Sequence, residues 1–172
     1  MRKIILLGYM GCGKSTIANR LSNITNIPYV DLDKSIEERI NLSINEIFEQ
    51  RGEIYFRKLE REVFIELLNL PQNLIIGLGG GTPCYANNHE LLKGENILSI
   101  YLKGSVDTLF ERLVANKSKR PLIADKNEDE MKEFIAKHLF DRSYYYNQAQ
   151  YKVSIDGKTK DETIQDILAI LA

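Results

Sequence analysis

Residues Gly8-Tyr9-Met10-Gly11-Cys12-Gly13-Lys14-Ser15-Thr16 match the spacing G-x-x-x-x-G-K-[ST] of a phosphate-binding loop. This motif constrains the fold because it works only between a strand and a helix. The apolar run Lys3–Leu7 before it reads as a buried strand, and Thr16–Leu21 after it is compatible with a helix. In that setting the glycines let successive backbone N–H groups converge on phosphate oxygens. The helix N-terminus adds partial positive charge. Gly11, Cys12, Gly13 and Thr16 are expected to wrap a nucleotide, Lys14 to place its charge near the β/γ-phosphates, and the Ser15 hydroxyl to ligate Mg2+. A chance glycine-lysine loop would lack the flanking strand and helix.

Strand and helix patterns alternate along the rest of the chain. Strands are predicted at Lys3–Leu7, Pro28–Leu32, Leu74–Leu78, Ile97–Leu102 and Tyr151–Ile155. Helices are predicted after the capping-box sequence Ser43–Glu46 and over Arg57–Leu70, Val106–Val114 and Thr163–Leu171. This order implies a parallel sheet covered on both faces, with ligands beyond the carboxyl ends of the strands. No linker-like stretch divides the chain, so one domain spanning 1–172 is expected.

Five further clusters carry chemistry. Asp31 and Asp33 close the second predicted strand, where residues i and i+2 share a face. One carboxylate could hold a metal's hydration shell and the other take a proton from a hydroxyl; the plainer reading is that Asp33 caps the next helix. Arg57 and Glu60 share a helix face, either as a solvated ion pair or as a carboxylate clamp with its orienting partner. Gly79, Gly80 and Gly81 follow the third strand and permit close approach or turns with positive φ. The basic stretch Asn116–Leu122, with Arg120, reads as a flap over phosphates or as an ordinary solvated loop. Arg142 and Tyr146 lie four apart on a helix, which alone would mean only a surface arginine beside aromatic packing.

Taken in order, these motifs closely resemble the shikimate kinase family over about Lys3 to Ile155. The resemblance implies a three-layer α/β P-loop NTPase fold of the nucleoside monophosphate kinase type. It would have a central parallel five-stranded sheet, a substrate segment at about 33–60 and a mobile lid at about 113–126. It implies ATP-dependent phosphorylation of the 3-hydroxyl of shikimate, on the route to chorismate and the aromatic amino acids. By the same resemblance Arg57 and Arg142 bind the carboxylate, Asp33 holds the ring hydroxyls and accepts the proton, and Glu60 and Gly79–Gly81 complete the substrate pocket. Arg120 reaches the transferring phosphoryl group, Ser15 ligates Mg2+, and Asp31 holds the metal through water. The third strand offers no acidic residue as a further metal ligand. Arg112 is the nearest candidate to stack on adenine, with the Asp156–Thr159 loop nearby; His89 and His138 receive no role.

A net charge of −1 removes any bulk electrostatic case for nucleic acid or a membrane surface as partner. Two cysteines are too few for a disulfide framework, so both are read as thiols in a reducing cytoplasm. A monomer is expected, since no helix pattern presents a spare apolar face. Two rivals remain: a related small-molecule kinase acting on gluconate, and a P-loop module that binds nucleotide without turning it over.

Overall fold

The computed structural model describes residues 1–115 and 125–172. Arg120 and most of the expected lid lie outside the described residues.

Strands β1 (Lys3–Leu7), β2 (Tyr29–Asp31), β3 (Leu74–Gly77), β4 (Ile97–Lys103) and β5 (Tyr151–Ser154) form a parallel sheet in the order β2-β3-β1-β4-β5. β1 is central, and Ile4 through Leu7 are at most 1% exposed, which is why this strand reads as an unbroken apolar run rather than an alternating one. Its first residue, Lys3, is buried too; its ammonium donates to the Leu70 carbonyl (2.7 Å) and to the Gln72 carbonyl, which offsets the cost of burying the charge. The predicted strands agree with these bounds to within a residue at either end.

The helices are α1 (Lys14–Thr25), α2 (Leu32–Ile40), α3 (Ile44–Asn69), α4 (Val106–Val114), α5 (Glu128–Tyr146) and α6 (Lys160–Leu171). Asn26 and Asn41 end α1 and α2 in the left-handed conformation, which asparagine tolerates. The Ser43/Glu46 capping box opens α3 as expected, but the helix continues further than the periodicity suggests. It runs through Gly52, whose φ of 82° and ψ of 169° break it into two helical segments, the second carrying Arg57 and Glu60. Capping boxes at Asn127/Glu130 and Thr159/Glu162 start α5 and α6.

β1 has β3 on one side and β4 on the other, so the chain departs in opposite directions from the sheet's centre. That reversal is where an open parallel sheet leaves a crevice. The P-loop follows β1, Asp31 ends β2 and the triple glycine follows β3, so all three reach the same end of the sheet.

Candidate active site

A cavity of about 860 Å3 lies at that end, bounded by the P-loop from Tyr9 to Thr16, by Asp31, Asp33 and Gly79–Gly81, and by Arg112, Arg142 and the Lys158–Lys160 segment. The structure therefore brings together the sequence-predicted residues of the P-loop, the acidic pair and the triple glycine, with Arg57 reaching Gly81 from α3.

In the P-loop, Gly11 (φ 84°) and Gly13 (φ 87°) are left-handed, a conformation that costs an L residue about 1 kcal/mol or more. Gly13 is also the N-cap of α1 and offers no side chain to the helix end. The first N–H groups of α1 are thus left for an anion. Lys14 and Ser15 open the helix at this point.

The acidic side departs from the strand-based expectation. Only Asp31 belongs to β2; Asp33 lies in the first turn of α2. It is Asp31 that caps α2, accepting from the Lys34 backbone N–H at 3.1 Å, and Asp33 is freed from that task. The true i, i+2 pair on β2 is Tyr29 and Asp31, and the Tyr29 hydroxyl donates to Asp31 Oδ2 at 3.2 Å. Burial and the Asp31 charge push the Tyr29 phenol up to about 12, so it stays a donor. Burial raises the Asp33 carboxyl from 3.8 to about 6; the charges of Asp31 and Glu60 add to this and the Lys14 charge opposes it. A half-buried carboxylate facing a cavity, with a pKa near 6, is suited to receive a proton near neutral pH.

On the basic side, Arg57 Nη1 donates to Glu60 Oε1 at 2.8 Å. The pair is no solvated surface bridge: the Glu60 side chain is 2% exposed, and its other oxygen accepts from Thr82 Oγ1 at 2.8 Å. Glu60 is therefore satisfied within the fold and leaves part of the guanidinium fork for another anion. Arg142, from α5, lies over the Tyr9 ring and donates to Tyr146 Oη at 3.4 Å. Tyr146 in turn donates to the Gly80 carbonyl at 2.5 Å. Burial raises this phenol's pKa, with Arg142 acting against it.

The three glycines are explained by space rather than by φ, since none of them has a positive φ. A Cβ on Gly79 would lie 2.9 Å from Asp33 Oδ1, on Gly80 3.0 Å from Arg142 Nη1, and on Gly81 3.0 Å from Arg57 Nη2. Each glycine thus makes room for one polar side chain, and the three side chains converge from α2, α5 and α3.

Arg112 reaches the P-loop, donating to the Cys12 carbonyl at 3.1 Å, with Lys158, Thr159 and Lys160 across the same cavity. Sequence reasoning missed Tyr29, Thr82, and the hydrogen bond between Tyr9 Oη and His138 Nδ1 (2.9 Å) that ties the P-loop to α5. Tyr29 had a usable signal, its i, i+2 spacing from Asp31; the other contacts span 22 and 129 residues. Cys12 and Cys84 are both free thiols.

Ser15 and Asp31 supply one hydroxyl and one carboxylate, both hard oxygen donors, and no group of three or more metal-binding side chains occurs among the described residues. This donor set fits a Mg2+ ion that keeps much of its water and is shared with a phosphate.

Comparison with known proteins agrees with this geometry. The sequence profile of the family described as shikimate kinase matches residues 10–172. A relative named shikimate kinase from Flavobacterium johnsoniae is 72% identical over 172 residues, covering 100% of both chains. Among solved structures, shikimate kinase from Bacteroides thetaiotaomicron superposes with a TM-score of 0.89 at 36% identity, covering 99% of this chain and 98% of the other. Shikimate kinase from Acinetobacter baumannii, solved in complex with shikimate, gives 0.84 at 30% identity, covering 99% and 93%.

Proposed function

The chain belongs to the shikimate kinase family, and from that premise we propose how its residues transfer the γ-phosphoryl group of ATP to the 3-hydroxyl of shikimate, giving shikimate 3-phosphate and ADP. The observation that carries the reading is the convergence of Asp33, Arg57 and Arg142 on three consecutive glycines beside the P-loop. It supplies two cations for a carboxylate and one base for a hydroxyl.

In this reading the P-loop amides of Gly11–Thr16 and the Lys14 ammonium hold the ATP phosphates, and Arg112 borders the adenine side. Arg57, oriented by Glu60, and Arg142 take the shikimate carboxylate, which fixes the ring so that its 3-hydroxyl faces Asp33. Asp33 then accepts the hydroxyl proton as the oxygen attacks. Such transfer depends mainly on alignment and on compensating the charge of the phosphoryl oxygens. Mg2+, held by Ser15 and through water by Asp31, would supply part of that charge, and Arg120 more. Two free thiols are consistent with a cytoplasmic enzyme, and a monomer suffices, since one chain provides every group named.

The test is ADP release from Mg-ATP with shikimate, with gluconate, and with neither. Release that requires shikimate is the expected result. Release with gluconate alone would move the substrate to the rival kinase, and ATP binding without release would move the chain to the non-catalytic class.

The glycine geometry gives a second expectation. In Gly79→Ala the new methyl would crowd both Asp33 carboxylate oxygens, at 2.9 and 3.1 Å. The carboxylate must shift by a few tenths of an ångström, and kcat should fall about ten- to hundredfold, since misplacement of this order is costly. Melting temperature should fall by a few degrees at most, because besides the carboxylate only the buried Thr82 Oγ1, 3.1 Å from the new methyl and bonded to Glu60, must give. A variant with wild-type kcat would mean that Asp33 needs no close positioning.

A further inference from the structure

Tyr85 stands at the edge of the substrate side and no motif accounts for it. Its ring centroid is 3.8 Å from the Arg57 guanidinium carbon, nearer than Phe56 (5.1 Å) or Phe48 (5.9 Å). It is a large aromatic residue left 41% exposed, whereas the Arg57 side chain is only 18% exposed.

The N–H groups of Arg57 show what this stack does. Nη1 is engaged by Glu60. Nη2 faces Gly81, where the missing Cβ leaves space. Nε is buried and has no hydrogen-bond partner among the described residues; the nearest carboxylate, Glu53, is 3.7 Å away. Nε is enclosed by the fold and paired at longer range with Glu53, so the open position of the fork is Nη2, beside Gly81. Presenting it to a carboxylate requires the guanidinium plane to be fixed, and a ring stacked on its face does this while keeping its charge.

The backbone around Tyr85 is built to hold it there. Ala86 (φ 49°) and Asn87 (φ 56°) follow in the left-handed region, which an alanine enters only under constraint. Arg61 Nη1 donates to the Ala86 carbonyl at 2.7 Å and to Asn88 Oδ1 at 3.2 Å. Asn88, fully buried, donates its amide to the Thr82 carbonyl at 3.0 Å and its backbone N–H to the Tyr85 carbonyl at 3.0 Å. The loop that supplies Thr82 to Glu60 therefore also sets Tyr85 over Arg57.

We propose that Tyr85 is a positioning residue for substrate specificity: stacked on Arg57, it holds Nη2 toward the carboxylate of the acceptor. This rests on reading Arg57 as the carboxylate-binding group of the reaction above.

The test compares Tyr85→Leu, which keeps bulk but not the π face, with Tyr85→Phe, which keeps both. With shikimate, Tyr85→Leu should raise KM about three- to fivefold, the order expected of a partly exposed cation–π contact. Its kcat and KM for ATP should stay within about twofold of wild type, and Tyr85→Phe should restore KM. With the carboxamide of shikimate as acceptor, the difference between Tyr85→Leu and wild type should vanish. A wild-type KM in Tyr85→Leu, or an equal loss with the carboxamide, would overturn the proposal while leaving the kinase reading intact. A wild-type enzyme with no turnover of shikimate would instead remove that reading, and this inference with it.

Discussion

Lys14→Ala should reduce shikimate-dependent ADP release by about a thousandfold or more while leaving the melting temperature near that of the wild type. The expectation has two parts. Lys14 is the first residue of α1 and borders the cavity, yet it makes no side-chain hydrogen bond or salt bridge among the described residues. Nothing in the fold depends on its ammonium, so its removal relieves a concentration of positive charge rather than breaking a contact. For catalysis, a fixed cation beside the phosphates is worth several kcal/mol to a transition state whose charge lies on phosphoryl oxygens, and about 4 kcal/mol is the thousandfold predicted. A further consequence separates this from general damage. The Lys14 charge lowers the pKa of Asp33 against the effects of burial and of Asp31, so residual activity in Lys14→Ala should lose its acid limb at a higher pH than the wild type. Turnover of Lys14→Ala within about tenfold of wild type, measured by coupled ADP release, would remove the lysine from the chemistry.

The elements that the sequence made legible are those whose cause is local. The P-loop is recognisable because its glycines must be left-handed at Gly11 and Gly13 and because it joins a buried strand to a helix. Val106–Val114 was readable to the residue because Ser105 caps it and its apolar period is undisturbed. The acidic pair differs from the sequence expectation in its geometry. Periodicity assumed that β2 continued through Asp33, whereas Asp31 ends the strand by capping α2, a decision made by one side-chain hydrogen bond. The triple glycine was visible as an anomaly, but its reason was not: each glycine yields space to a side chain from a different helix, and only the folded chain places Asp33, Arg142 and Arg57 around it. The same holds for Thr82 with Glu60, and for Tyr9 with His138. His138 looked idle in the sequence and is a packed partner of the P-loop, its pKa lowered by burial and by Arg142. Arg120 was read from its motif alone and lies outside the described residues.

Asp33→Asn should separate activity from stability in opposite directions. In the role proposed for it, accepting the hydroxyl proton, Asp33 would act only when ionised. For wild type, kcat/KM for shikimate should fall about tenfold per pH unit below about pH 6. The asparagine variant should lose about 10^2–10^3 in kcat, the usual contribution of a positioned base, and its profile should be flat across that range. ATP affinity should change little, because Asp33 faces the acceptor side, next to Gly79. Stability follows from the sign of the shift. The folded-state pKa of about 6 lies above the ordinary value of 3.8. The protonated carboxyl is thus favoured by folding, a contribution fully present below about pH 4 and lost as pH rises through about 6. At pH 7–8 the ionised Asp33 therefore works against the fold. The shift corresponds to about 3 kcal/mol at most, and solvent access at the cavity reduces it to about 1–2 kcal/mol. Asparagine keeps the shape without the charge, so the variant should melt higher than the wild type at pH 7.5, and the two should converge only below about pH 4, where the carboxyl is protonated in the folded and the unfolded chain alike. A carboxylate whose ionised form burial disfavours gains most from a proton arriving from its substrate. If Asp33→Asn kept wild-type kcat, or melted lower at pH 7.5, the carboxylate would be a structural partner of α2 and the proton would have to leave by another route.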